Sequence, residues 1–148
     1  MRIKNEDFRN LLQRDMFDQI PDMFSEDQLE VIEQAWKNKI DLKKHITPKY
    51  SIPQMTEIYL GLKDKVDISK YNNVNLDYSV MEQIRLALKK KIDLTKYIDV
   101  TQVNKSQLFQ VRLALEHGVD PRLVRKYMSD PQLDMWKLQD IRRQLEGK

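Results

Sequence analysis

The chain contains 148 residues, 33% of them charged and 41% hydrophobic, with a formal net charge of +3. This length suits one domain, and this composition excludes an intrinsically disordered chain. The sequence has no cysteine, which excludes disulfides and thiolate chemistry and favours a reducing compartment. It has neither an apolar signal core at its start nor an apolar run of about 18 residues, so we expect a cytoplasmic protein that does not cross a membrane.

Five similar short runs recur along the sequence. They begin at Gln28, Gln54, Val80, Gln107 and Lys137, at intervals of 26, 26, 27 and 30 residues. Each run has Leu or Met at its second position and Ile or Val at its fifth. Self-similarity at such a period is typical of stacked helical repeats.

Residues that favour helix starts precede every run. Three positions upstream stand residues whose side chains can cap a helix, namely Ser25, Ser51, Asp77, Asn104 and Asp134. An apolar residue before each cap has the spacing of a hydrophobic staple, and glutamine gives a capping box in the first, second and fourth units. Each unit is therefore predicted to open with a helix of roughly 11–12 residues.

A second signature follows each of the first four helices. It is Ile-Asp or Val-Asp, with the aspartates at Asp41, Asp67, Asp93 and Asp120. Such an aspartate can cap a short second helix. In the fourth unit Pro121 stands at the first helical position, where proline is tolerated, and the tyrosine comes later, at Tyr127, so we expect about one extra helical turn over Pro121–Tyr127.

These patterns predict an all-α fold, a short α-solenoid in which a long helix and a short helix alternate every 26–30 residues. Residues 1–148 would form one domain with an N-terminal capping helix at 6–17. Its parts are a cap at 1–23, repeats at 24–49, 50–75, 76–102 and 103–132, and a C-terminal half-repeat at 133–148. A four-helix bundle is the alternative, which the periodic interruptions disfavour.

The string from Gln54 to Tyr71 resembles short repeats in proteins of Gram-positive bacteria, their phages and mobile elements. Those repeats usually read Gln-Met-x-Glu-Ile-Arg-x-Gly-Leu and then Gly-x-Asp-Val-x-x-Tyr. The likeness covers residues 24–145. It implies a helical fold and a phage or mobile-element setting, in which some small proteins inhibit host defence, anti-CRISPR proteins among them.

Single positions both follow and depart from this pattern. Its arginine recurs at Arg85, Arg112 and Arg142, whereas Glu33 and Tyr59 replace it in the first two units. Its second glycine survives at Gly118 but is replaced by Lys65 and Lys91 in the two preceding units.

No pattern in the sequence indicates catalysis. His45 occupies the column of Tyr71 and Tyr97 and is expected to pack, and His117 suits the end of a helix. Carboxylate pairs such as Glu26 and Asp27 lie where helix first turns favour negative charge. Without a phosphate-binding loop or a metal-ligand motif, we expect no enzyme, no cofactor and no metal site.

Two surfaces are candidates for binding. The first is a column of tyrosine and arginine together with a tryptophan outside the apolar columns, namely Tyr59, Arg85, Arg112, Trp136 and Arg142. The second is a basic ridge of lysines near the helix ends, namely Lys37, Lys39, Lys44, Lys63, Lys65, Lys70, Lys89, Lys91 and Lys96. Both have plainer interpretations, as an amphipathic edge and as a solvated face that complements the helix dipoles. Trp36, in an apolar column, is expected to fill the core.

The sequence therefore leads to two functional hypotheses. The first is a protein-binding module from a phage or mobile element that inhibits a host defence complex, with a protein or ribonucleoprotein as its partner. The alternative is a protein that binds nucleic acid directly through the basic ridge. The identity of the partner, the face used and the oligomeric state stay open.

Overall fold

The computed structural model describes residues 23–148. They form six α-helices and three short 3-10 helices, with no β-strand anywhere in residues 23–148. In chain order these are α1 (Glu26–Lys37), η1 (Leu42–Lys44), α2 (Ile52–Lys63), η2 (Ile68–Lys70), α3 (Tyr78–Lys89), η3 (Leu94–Lys96), α4 (Lys105–Glu116), α5 (Pro121–Tyr127) and α6 (Met135–Leu145). The all-α prediction is confirmed. The capping helix predicted at 6–17 lies outside the described residues.

The long helices begin where the capping residues predict. Each predicted cap accepts a hydrogen bond from a backbone N–H of the first turn, at Ser25, Ser51, Asp77, Asn104 and Asp134. Asp67, Asp93 and Asp120 cap their shorter helices in the same way. Asp41 makes no such bond and lies 3.8 Å from the Lys44 ammonium instead.

Buried glutamine side chains in two of the long helices form hydrogen bonds with the backbone of later loops. The Nε2 atom of Gln28 donates to the carbonyls of Pro48 and Tyr50, at 2.8 Å each. Gln107 does the same in α4, donating to the carbonyls of Met128 and Asp130 at 2.9 and 3.0 Å. The side chain of Gln28 therefore satisfies backbone groups both at its own helix start, where it accepts from Ser25 N–H at 2.8 Å, and more than twenty residues away.

A left-handed residue follows each of the five long helices. The φ angles are 64°, 59° and 62° at Lys39, Lys65 and Lys91, and 86° and 79° at Gly118 and Gly147. After α1, α3, α4 and α6 the backbone makes the paired hydrogen bonds of a Schellman turn, for example from Ile92 N–H to the Ala87 carbonyl. The left-handed turn satisfies helix-end carbonyls and sends the chain away from the helix axis.

The chain divides into two compact units, Met1–Lys63 and Asp64–Lys148. In the described part of the first unit, α1 packs against α2 and η1, and the buried residues are Leu29, Ile32, Leu42, Met55 and Ile58. In the second unit, α4 lies between α3 and α6 and also contacts α5 and η3. Its core includes Met81, Ile84, Leu94, Leu108 and Val111.

The structure corrects the prediction for Trp36. This side chain belongs to the apolar column, but the residue is 38% exposed and does not fill the core of the first unit. It lies in the last turn of α1, one residue before the end of that helix.

The lysines with left-handed backbone conformations should lower the stability of the fold. A residue with a Cβ atom is strained at φ 62°, so replacing Lys91 with glycine should raise the free energy of unfolding by about 0.5–1 kcal/mol, after the greater freedom of glycine in the unfolded chain is allowed for. Urea unfolding measures the change. The matched control is Lys90→Gly, one residue earlier at φ −98°, which should lower stability. Equal effects of the two substitutions would contradict this account.

Candidate functional site

Arginine–glutamine hydrogen bonds join the long helices of the second unit. The Nε atom of Arg112, in α4, donates to Oε1 of Gln83, in α3, at 2.8 Å. One helix later, Nε of Arg142 in α6 donates to Oε1 of Gln110 in α4 at 2.6 Å. The same two helix positions meet in both cases. The starts of α3 and α4 line one groove, and the ends of α4 and α6 meet where His117 contacts Glu146, so α3, α4 and α6 run in the same direction, side by side.

The guanidinium groups of these arginines also bind carboxylates. Arg112 Nη1 lies 2.8 Å from Glu116, and Arg142 Nη1 lies 2.9 Å from Glu146, each one turn later on the same helix or at its end. Arg85 Nη1 lies 3.2 Å from Asp64. Water has little access to the arginines of these ion pairs, because their side chains are between 10 and 13% exposed.

The arginines of this candidate binding column are therefore not on the surface, where direct contact with a partner would place them. Arg85 and Arg142 are only 8% and 9% exposed, and the side chain of Arg112 is little more accessible. Tyr59, in the first unit, is half-buried, and its hydroxyl accepts a hydrogen bond from Asn38 at 2.9 Å. Packing between neighbouring helices turned these positions inward, which the spacing in a single helix does not show.

A cluster of polar side chains surrounds Glu146, the C-cap of α6, at the C-terminal end of the second unit. Its side chain is 3% exposed and lies 2.6 Å from His117 Nδ1 and 3.4 Å from the Lys148 ammonium. Burial of the carboxylate acts to raise its pKa, but the hydrogen bonds from His117 and Arg142 outweigh that effect and lower the pKa of Glu146 to about 2. His117 thus has the structural role expected at a helix end.

The structure splits the predicted basic ridge into paired and unpaired lysines. Four are ion-paired: Lys37 with Glu33, Lys44 with Asp41, Lys70 with Asp93 and Lys89 with Asp64. The other five are Lys39, Lys63, Lys65, Lys91 and Lys96, which are exposed and make no ion pair within the described part of the chain. Surface ion pairs are weak, but they reduce the charge that a partner would meet.

Trp136 is exposed. It is 71% accessible, at the second position of α6, beside Met135. Tyr78 and Phe109, at the first and fifth positions of α3 and α4, are also exposed. Positions one, two and five lie within about 100° of one another around a helix, and the buried seventh position lies on the far side.

We call Tyr78, Phe109, Met135 and Trp136 the outer apolar face of the second unit. Because α3, α4 and α6 lie side by side in one direction, these residues share the side of the row that faces solvent. An open groove of about 490 Å³ runs between the starts of α3 and α4, lined by Tyr78, Val80, Val103 and Lys105 among others. The guanidinium of Arg112 lies over the Phe109 ring, 5.4 Å from its centre, within the range of a cation–π interaction.

Sequence reasoning missed three residues of this face. Tyr78, Phe109 and Met135 stand at the register positions that hold Glu26 and Glu30 in the first unit. Reading the outward-facing columns as well as the inward-facing ones would have found them. Apolar residues at these outward-facing positions do not contribute to the core, so a group of them indicates an interaction surface.

The described residues do not provide a metal centre. No group of three or more His, Cys, Asp or Glu side chains comes together to hold an ion in residues 23–148. Likewise, no helix in that range is long and apolar enough to cross a membrane.

Comparison of the sequence with protein-family models gives no match, and comparisons with curated proteins and with solved structures give none either.

If Arg142 holds α6 on α4, its loss should destabilise the second unit. Arg142→Met leaves Gln110 buried without its hydrogen-bond donor and removes one of the cations that pair with Glu146, so it should lower the free energy of unfolding by about 2–4 kcal/mol. Denaturant unfolding measures this loss. Arg143→Met is the matched control, because Arg143 is exposed on the same helix, and it should change stability by less than about 0.5 kcal/mol. Similar losses in both variants would refute the role of Arg142.

The pKa of Glu146 predicts how stability depends on pH. Because the folded pKa, about 2, lies below the ordinary 4.5, the carboxylate stabilises the fold fully above about pH 5. This contribution should diminish as the pH falls from 4.5 and be mostly lost at about pH 2. The stability difference between wild type and Glu146→Gln should therefore shrink over this range, as measured by urea unfolding. A difference that is constant with pH would contradict the assignment.

Proposed function

We propose that this chain is a non-enzymatic α-solenoid protein that acts by binding another protein. The repeated caps and turns, and the parallel row of α3, α4 and α6, support a solenoid of stacked helix pairs. Such folds commonly offer an extended, rigid surface to a macromolecular partner.

The observation that carries the proposal is the exposure of Trp136 on the outer apolar face. Tryptophan and tyrosine dominate the binding energy of protein interfaces, and methionine adapts to irregular partner surfaces. Leaving a large indole 71% exposed in water has no structural benefit for α6. A partner with an apolar surface would bury Trp136 together with Met135 and Phe109.

The inward arginines prepare this face for binding. Arg112 links α4 to α3, and Arg142 links α6 to α4, so the three helices are held at fixed positions. Binding to a pre-arranged surface costs less conformational entropy than binding to a mobile one. In this proposal Trp136 contacts the partner, whereas Arg112 and Arg142 act through the helices that they connect.

The repeat resemblance supplies the biological setting of the proposal. Proteins with similar repeats belong to Gram-positive bacteria, their phages and mobile elements, and the partner we propose is a host defence complex. The chain would then inhibit that complex in the cytoplasm, as anti-CRISPR proteins do, by occupying one of its protein surfaces.

The test is affinity capture from a Gram-positive host lysate, with and without nuclease, using the tagged full chain. We expect a protein that is retained after nuclease treatment and whose affinity for purified Trp136→Ser falls by about tenfold or more. Mass spectrometry identifies the partner, and calorimetry with purified components gives the affinities.

The matched control is Tyr127→Ser, which removes an exposed aromatic residue of α5, outside the outer apolar face. This variant should bind as tightly as the wild type. Equal loss in both variants, or none in Trp136→Ser, would show that this face is not the binding site.

A further inference from the structure

Lys65 and Lys91 in the second unit combine backbone strain with an unused charge. Both have left-handed φ angles, 59° and 62°, which a side chain with a Cβ atom adopts at a cost. Both are exposed, and neither makes an ion pair with any residue from 23 to 148. Where the same turn recurs later, it contains Gly118 and Gly147, for which the conformation carries no penalty.

Strain that a single substitution would remove points to a role for the side chain. The lysine gains from lying near the negative end of a helix dipole, but that gain is small at an exposed position and is screened by salt. It does not require the left-handed residue itself, since Lys89 and Lys90 already place two cations at the same helix end.

The turns that carry Lys65 and Lys91 are neighbours in the fold. Asp64 lies 3.7 Å from the Lys89 ammonium at the end of α3, so residues 64–70 contact the end of that helix. Lys70 lies 3.2 Å from Asp93, which follows the second turn. The two segments, 64–70 and 89–96, are therefore joined by an ion pair at each side.

Acidic residues in these two segments are already engaged. Asp64 pairs with Arg85 and Lys89, and Asp67 caps η2. Burial acts to raise the pKa of Asp93, but hydrogen bonds from Thr95 and Lys70 hold it below its usual value. Lys65, Lys90, Lys91 and Lys96 are left as exposed cations without an ion pair in the described residues. This set is the turn lysine cluster.

We propose that the turn lysine cluster binds the phosphodiester backbone of a nucleic acid. Lysine ammonium groups on flexible stems suit separate phosphates, and the cluster has no planar side chain to read base edges, so the binding is independent of sequence. The inference concerns a second surface, and it holds whether or not the outer apolar face binds a protein.

The test uses Lys65→Gly combined with Lys91→Gly in the full chain. This variant relieves the backbone strain while it removes both charges, so weaker binding cannot be attributed to unfolding, and thermal unfolding measured in parallel should show no loss of stability. Fluorescence anisotropy would follow binding to labelled RNA, single-stranded DNA and duplex DNA of about 20 nucleotides, over salt concentrations of about 50–200 mM.

We expect the wild type to bind at low salt and the double variant to bind at least about fivefold more weakly, with a salt slope smaller by about 1.4 for single strands. The control is Lys105→Gln with Lys137→Gln, which removes two exposed lysines from the first turns of α4 and α6, at the other ends of the helices. It should retain most of the affinity.

Three results would overturn the proposal. One is that the wild type does not bind any oligonucleotide at about 50 mM salt. Another is that the glycine variant and the glutamine control lose affinity equally. Binding would then depend on the net charge of the protein and not on the position of these lysines. The third is displacement of the oligonucleotide by an equal charge concentration of polyglutamate, which would indicate an acidic protein as the ligand. The comparison of RNA with DNA shows which backbone is preferred.

Discussion

The left-handed turn after each long helix is the constraint on which the rest of the structure depends. It ends the helix at a fixed residue, satisfies its last carbonyls and directs the chain into the next segment. Because the turn recurs five times, the long helices have nearly equal lengths, of 11 or 12 residues. In the second unit, equal lengths let the same helix positions meet across α3, α4 and α6.

The arginine–glutamine contacts between these helices explain how a chain with 33% charged residues can form a small apolar core. Arg112 and Arg142 extend between helices, and their charge is balanced by Glu116 and Glu146 on their own helices. Each guanidinium is therefore paired and hydrogen-bonded where it is buried, which keeps the cost of burial low. With cations inside the row, the outer side of the same helices carries apolar residues such as Trp136.

Much of the fold could be predicted because helix starts depend on nearby residues. The caps, the long helices and the α5 segment follow from side chains within a few residues of each helix start. The binding residues were harder to predict. Arg142 and Trp136 both looked available on a single helix, yet Arg142 is buried because Gln110 of the neighbouring helix accepts its hydrogen bond.

The sequence by itself determined the helical class and the helix starts, because capping energies act over a few residues. The tertiary structure alone decided which charged side chains are paired and which stay available to a partner. That choice depends on contacts such as Lys70 with Asp93 and Lys89 with Asp64, which join residues more than twenty positions apart. Lys65 and Lys91 have the same residue type as those paired lysines and differ only in what the fold places beside them.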